Sequence, residues 1–288
     1  MLKKEQKQTI LNEVNHQANR FPSAAKQAIN LGINPSQLSR IKKGDFDALG
    51  ENSWITIARR LDVDLSESKK WVTAETPVFK MIYKQLEACQ ALSVSGIMCD
   101  IADIGKTHTA KIYSRKNKNA IYIDCSQVKN KQKLIKRIAK GLGVNHYGKY
   151  LDVYEDLVYY IRTLNNPLII LDEAGDLDYG AFLELKAMWN ATEGACGWYM
   201  MGADGLKKKL NSNIDKQKVG YTEIFSRYGA KYQRATPAGN DELQDFKKTM
   251  VAMISKANKS ELPSSVMYSK TGGSLRRIKT EIRKQNIA

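Results

Sequence analysis

Residues 168–171 read Leu-Ile-Ile-Leu, and Asp172 and Glu173 follow at once. Four consecutive apolar residues leave a strand no face for water, so both of its faces must be covered. Strands of that kind belong to parallel sheets with helices on each side. Other short apolar or β-rich runs stand at 94–99 (VSGIMC), 120–125 (AIYIDC) and 197–202 (GWYMMG). Helical patterns lie between them, at 107–113, 131–141, 154–164 and 182–190. This alternation predicts an α/β core built on a parallel sheet. From about residue 241 the pattern is helical only, with a break at Gly272-Gly273. A polar stretch at 65–79, carrying Pro77, predicts a linker near 72–78. The expected organisation is therefore residues 1–72, 73–240 and 241–288.

The strand at 94–99 is followed by Asp103-Ile104-Gly105-Lys106-Thr107-His108, which opens a helix. This is the second half of a phosphate-binding loop; the first glycine of the full pattern is replaced by Asp100. The residue types suit the chemistry. Gly105 lets backbone approach a phosphate, and the helix N-terminus aims N–H groups at anionic oxygens. Lys106 reaches the β- and γ-phosphates, and the Thr107 hydroxyl is a Mg²⁺ ligand. Asp172 lies 66 residues after Lys106, at the tip of a buried strand, where it can hold Mg²⁺. Glu173 is placed to polarise an attacking water as a general base. The pair of motifs predicts a site for ATP and Mg²⁺. Asp100 and Asp103 set carboxylates beside that site, which predicts weakened nucleotide binding.

The first 72 residues read as short helices. In residues 23–45, Ala24, Ala25, Ala28 and Ile29 have helical spacing, and Gly32 can supply the positive φ of a tight turn. Asn34 and Pro35 then cap and open a second helix with Leu38 and Ile41 on its apolar face. This is helix–turn–helix grammar. Gln37 and Arg40 point away from that face, and their types suit adenine and guanine edges. The chain carries a formal charge of +16. Residues 111–140 hold ten basic residues against Asp124 alone, a net of +9. Charge this localised points to a polyanion. Lys116 and Lys118 precede the second strand, and Lys129, Lys131 and Lys133 follow it.

Other classes are poorly served. No apolar run reaches the roughly 18 residues a membrane helix needs, and the basic N-terminus MLKKEQKQ lacks a following apolar segment. The expected location is cytoplasmic, with no membrane partner. The four cysteines are spaced 10, 26 and 71 residues apart, which matches no zinc pattern and predicts buried free thiols.

The stretch from Ser23 through a following helix with Trp54, Ile55, Ile57, Ala58 and Leu61, about forty residues, resembles the lambda-repressor-like DNA-binding domains. Residues 94–236 resemble AAA+ ATPases, and within them the Mu transposition protein B and insertion-sequence helper ATPases. The resemblance is carried by DIGKTHTA (103–110), LIILDEAGDL (168–177), GADGLKKKL (202–210) and FSRYG (225–229). It implies an AAA+ P-loop core with a helical C-terminal lid, preceded by an all-α helix–turn–helix domain. It also implies further roles. Asp204 stands in the sensor-1 region, after Ala203. Arg227 matches the arginine finger that completes a neighbouring subunit's site, with Arg234 as a rival. Arg276 matches the lid's sensor-2 position, which Arg277 could fill instead. The loop and helix after the second strand would line a channel around DNA.

The expected function is an ATP-dependent protein that assembles as a ring or filament on duplex DNA, delivers target DNA and stimulates a transposase. It would be encoded by a mobile element or phage in a bacterial host. The alternatives are a replication initiator or helicase loader, and a nucleotide-independent DNA-binding repressor.

Overall fold

The computed structural model describes residues 2–61, 63, 65 and 71–285. Met1 of the basic N-terminus and residues 66–70 of the polar stretch lie outside the described residues.

Four helices come first: α1 (Lys4–His16), α2 (Ala24–Leu31), α3 (Pro35–Lys42) and α4 (Glu51–Leu61). They enclose Ile10, Val14, Leu31, Leu38, Ile41, Trp54 and Ile57, all nearly inaccessible to solvent. The turn between α2 and α3 forms as its residues dictate. Gly32 takes φ 72°, and the Asn34 side chain accepts from the Gln37 N–H at 2.8 Å. The Gln37 amide oxygen returns the bond to the Asn34 N–H at 3.1 Å, closing a capping box.

Helix α5 (Pro77–Leu92) follows; Pro77 is its first residue and the Thr76 hydroxyl caps it. Then come β1 (Ser95–Cys99), α6 (Lys106–Lys116), β2 (Ala120–Asp124), α7 (Lys131–Gly141), α8 (Tyr150–Thr163), β3 (Leu168–Asp172), α9 (Tyr179–Ala191), β4 (Gly197–Gly202), α10 (Asp204–Asp215), α11 (Tyr221–Arg227) and β5 (Tyr232–Gln233). Three helices end the chain: α12 (Asn240–Ala257), α13 (Ser264–Thr271) and α14 (Leu275–Gln285).

The strands form one parallel sheet in the order β2-β3-β4-β1-β5. Alternate strand residues enter two separate cores. Ile97, Ile123, Ile169, Leu171, Trp198 and Met200 face α7–α11. Met98, Leu168, Ile170, Tyr199 and Met201 face α5 and α6. Both faces are thus covered, as the apolar run in β3 demands. A smaller cluster of Val251, Ile254, Met267, Ile278 and Ile282 holds α12–α14 together, with Trp71 and Ala74 packed on it. This is the expected α/β architecture on a parallel sheet, with a helical C-terminal subdomain. All four cysteines are buried free thiols. No helix among the described residues is long and apolar enough to cross a membrane.

The N-terminal helices rest on the edge of the core beside β2. Asn30 Nδ2 donates to the Lys140 carbonyl at 2.9 Å, and Arg20 donates to the Ala120 carbonyl at 3.2 Å.

Close packing of α5 on the sheet depends on Gly197, where a Cβ would lie 2.3 Å from the Cys89 carbonyl oxygen. The nearest atoms are Cys89 backbone, which cannot swing aside, with the Leu168 side chain at 3.1 Å. Gly197→Ala is expected to destabilise the core by about 2 kcal/mol or more. Urea unfolding reads this as a lower midpoint, and an unchanged midpoint would refute the packing.

Candidate functional site

The parallel strands end together, so β1, β3 and β4 deliver their following residues to one edge of the sheet. The phosphate loop leaves β1 there, and α6 starts at Lys106 with Gly105 at φ 98° before it. Lys106 is nearly buried, and its Nζ donates to the carbonyls of Asp100 at 2.8 Å and Ile101 at 2.6 Å. Desolvation lowers its pKa, while Asp100 and Asp172 act the other way. Ile104 is buried among the apolar residues shared with α5 and α6.

The two motifs meet. Thr107 Oγ1 donates to Asp172 Oδ2 at 2.6 Å, across 65 positions of sequence. Tyr122, which sequence reasoning did not single out, donates its hydroxyl to the same Oδ2 at 3.0 Å. A threonine hydroxyl beside a buried carboxylate is a hard-oxygen pair of the kind Mg²⁺ takes. The α6 N-terminus and Lys106 supply the positive charge a triphosphate needs. The residues therefore fit both groups. Glu173 follows at φ 50°, exposed, with its pKa raised by desolvation and by neighbouring Asp172.

Asp100 and Asp103 do not aim at the phosphate site. Asp100 is 1% exposed, and its carboxylate accepts from the N–H groups of Ile101 (2.8 Å), Ala235 (2.7 Å) and Thr236 (2.9 Å), and from the Thr236 hydroxyl. Asp103, at φ 62°, accepts from the Ser274 hydroxyl and from the Arg276 N–H at 3.2 Å. Both carboxylates are tied to neighbouring chain segments, one beyond β5 and one at the start of α14. The two carboxylates thus turn to donors outside the loop, while the Asp100 charge still acts on Lys106.

The remaining residues are distributed unevenly. His108 Nε2 lies 2.9 Å from the Thr73 hydroxyl, on the segment before α5. Asp204 is exposed in the first turn of α10, where it raises the pKa of Lys106. Arg276 is 86% exposed on its side chain, with Nε 3.8 Å from Asp103. The Arg277 guanidinium instead donates to the Lys270 carbonyl at 2.7 Å. Arg227 ends α11 over the Trp189 ring, and Trp189 bonds Ser95 at the start of β1, the end away from the phosphate loop. Arg227 thus does not join its own chain's loop. Arg234 is held by Thr236, by the Pro237 carbonyl and beside Asp100.

The five lysines proposed for DNA are exposed but not gathered. Lys116 and Lys118 stand at the start of β2 and Lys129, Lys131 and Lys133 beyond its end, roughly 17 Å apart for a five-residue strand. Spacing along the sequence cannot reveal that a strand divides them. On α3, Arg40 is paired with Asp45 at 2.8 Å, and the Gln37 oxygen serves the capping box. Both base-reading candidates are therefore partly engaged within the helix pair. Lys209, in the second lysine run, donates to the Gly175 carbonyl at 2.8 Å and to the Leu177 carbonyl.

The comparisons agree with this geometry. Residues 96–210 match the AAA domain family. No curated protein sequence matches the chain. Among solved structures, the chain is similar in fold to the ORC2 protein of Aeropyrum pernix, a structure described as ADPNP-ADP complexes. The identity is 16% and the TM-score 0.50, covering 70% of this chain and 58% of that one. The chain thus spans under two thirds of that relative's length. Residues 96–210 thus match an AAA domain, and the likeness to that structure is one of fold.

Restoring the missing glycine tests the reading of Asp100. Asp100→Gly removes a buried acceptor from four donors and is expected to cost about 3 kcal/mol of stability. ATP affinity is expected not to rise. Tighter ATP binding in a titration of the folded variant would return Asp100 to the phosphate site.

Proposed function

We propose that this chain is an ATP-dependent DNA-binding protein that assembles on duplex DNA and presents it to a transposase. One observation carries the link between nucleotide and DNA. The Asp178 N–H donates to the Lys129 carbonyl at 2.8 Å. It joins the loop that follows Asp172 and Glu173 to the loop that opens the lysine run. A change at the nucleotide edge is therefore transmitted to Lys129, Lys131 and Lys133 through a direct backbone contact.

In this reading Lys106 exchanges its carbonyl partners for phosphate oxygens, and the α6 N-terminus holds the phosphates in place. Thr107 and Asp172 would hold Mg²⁺, which supplies charge neutralisation at the phosphates. Glu173 accepts a proton from the attacking water. Asp204 stands at the sensor-1 position, Arg276 reports nucleotide from the lid, and Arg227 serves the neighbouring subunit. The exposed Arg276 side chain, set against the tethered Arg277, supports that choice. The placement of Arg227 away from its own loop is what a role in trans requires. ATP and DNA each favour assembly, so each raises the other's apparent affinity.

The transposase as partner rests on the motifs at 202–210 and 225–229 and on the helix–turn–helix ahead of the core. A replication initiator or helicase loader is the second reading, favoured by the fold shared with the ORC2 protein. An interaction screen against transposase and helicase separates the two. A nucleotide-independent repressor loses its motive, because Asp100 and Asp103 are committed elsewhere.

The test measures duplex binding and particle size together, with no nucleotide, ADP, ATP or a slowly hydrolysed analogue. Large DNA-bound assemblies are expected only with ATP or the analogue, and none for Lys106→Ala. Small particles binding DNA equally in every condition would overturn the proposal. For the chemistry, Glu173→Gln is expected to slow hydrolysis about 10²–10⁴-fold while nucleotide binding persists. The raised pKa of Glu173 places the acid limb of the wild-type rate above the usual carboxylate range. Full activity of Glu173→Gln would assign the base elsewhere.

A further inference from the structure

Alternate residues of a strand share one face of the sheet. Leu168 and Ile170 face α5 and α6, and Asp172 continues that face at the end of β3. Tyr122 packs on the same side from β2, where it pairs with Ile170. It is therefore the diagonal neighbour of Asp172, at a separation that long side chains bridge. Its hydroxyl makes the reach, donating to Asp172 Oδ2 at 3.0 Å. The residue directly opposite Asp172 is Asp124, whose own carboxylate accepts from the Ser126 N–H and hydroxyl. A second carboxylate on that rung has no donor to give.

Asp172 is 1% exposed, so its lone pairs depend on donors from the protein. Oδ1 takes the Glu173 N–H at 3.0 Å. Oδ2 takes two hydroxyls, from Thr107 at 2.6 Å and from Tyr122. These two differ in what else they can do. Thr107 lies in the first turn of α6, in the phosphate loop, and its oxygen is one that a cation would use. Tyr122 stands on the sheet with its ring against the apolar residues of α5 and α6, and it belongs to neither motif. A phenol also orients a carboxylate without cancelling its charge, because it donates while neutral. A lysine or arginine in its place would compete with the cation.

We infer that Tyr122 is a positioning residue, whose hydroxyl fixes the Asp172 carboxylate in the orientation that holds Mg²⁺ at the nucleotide site. The role rests on the ATP and Mg²⁺ reading of that site and is independent of the transposase. Donors that hold a ligating group from behind carry about 10–100-fold of metal affinity.

Mn²⁺ is the probe, titrated into the full chain with a slowly hydrolysed ATP analogue bound and the protein in excess. Electron paramagnetic resonance reads the free ion. Tyr122→Phe is expected to weaken Mn²⁺ about 10-fold and to leave the affinity for the analogue in a chelator unchanged. That split separates a positioning role from general damage, which would lower both. Added to Asp172→Asn, which itself weakens Mn²⁺, Tyr122→Phe is expected to cost nothing more. Tyr122→Leu, which also lacks the hydroxyl, serves should Tyr122→Phe unfold. Unchanged Mn²⁺ affinity in Tyr122→Phe, beside a loss in Asp172→Asn, would overturn the inference alone. So would an equal loss of metal-free analogue binding, or a further loss in the double variant. A wild type that binds no analogue, or Mn²⁺ affinity untouched by Asp172→Asn, would remove the nucleotide reading and the inference with it.

Discussion

The Asp100 carboxylate sits at the end of β1 with almost no access to water, beside the helix that begins the phosphate site. A charge there is tolerable only if every lone pair finds a donor. The donors come from Ala235 and Thr236, on the segment that leads into α12. Asp103 repeats the device three residues on, taking its donors from Ser274 and Arg276 at the head of α14. The loop and the lid are therefore not independent parts. The loop keeps its shape, including the positive φ of Asp103, because two lid-side segments hold it. A change in the loop would pull on both segments, the one before α12 and the one at the head of α14.

The sheet was legible because burial on both faces writes itself into the sequence as continuous apolar runs. The strands beginning at Ser95, Ala120, Leu168 and Gly197 all follow from that rule. The phosphate loop and its partner Asp172 were legible because their chemistry needs particular residue types at a strand end. Helix α5 was not, since its apolar residues directly follow a polar stretch and Pro77 reads equally as a break or a first helical residue. Strand β5 has two residues, too few to show any period. What the sequence conceals most is direction. Asp100 and Asp103 are close sequence neighbours of Lys106, yet both carboxylates turn toward donors more than 130 positions away. Tyr122 escaped notice for the same reason, being brought to Asp172 only by the pairing of β2 with β3.

Direction also divides the positive charge. Residues 111–140 look like one basic segment in the sequence. In the fold Lys111, Arg115, Arg137 and Lys140 turn toward the N-terminal helices and line a cavity. Lys116, Lys118, Lys129, Lys131 and Lys133 remain on the surface. These two sets face different problems. Surface lysines are solvated and screened by salt, so they suit a loosely tracked phosphate backbone. Side chains turned toward the N-terminal helices are partly withdrawn from that role. The net charge of a segment therefore overstates the surface available to DNA. Four of the ten basic residues of this one line the boundary with the N-terminal helices instead.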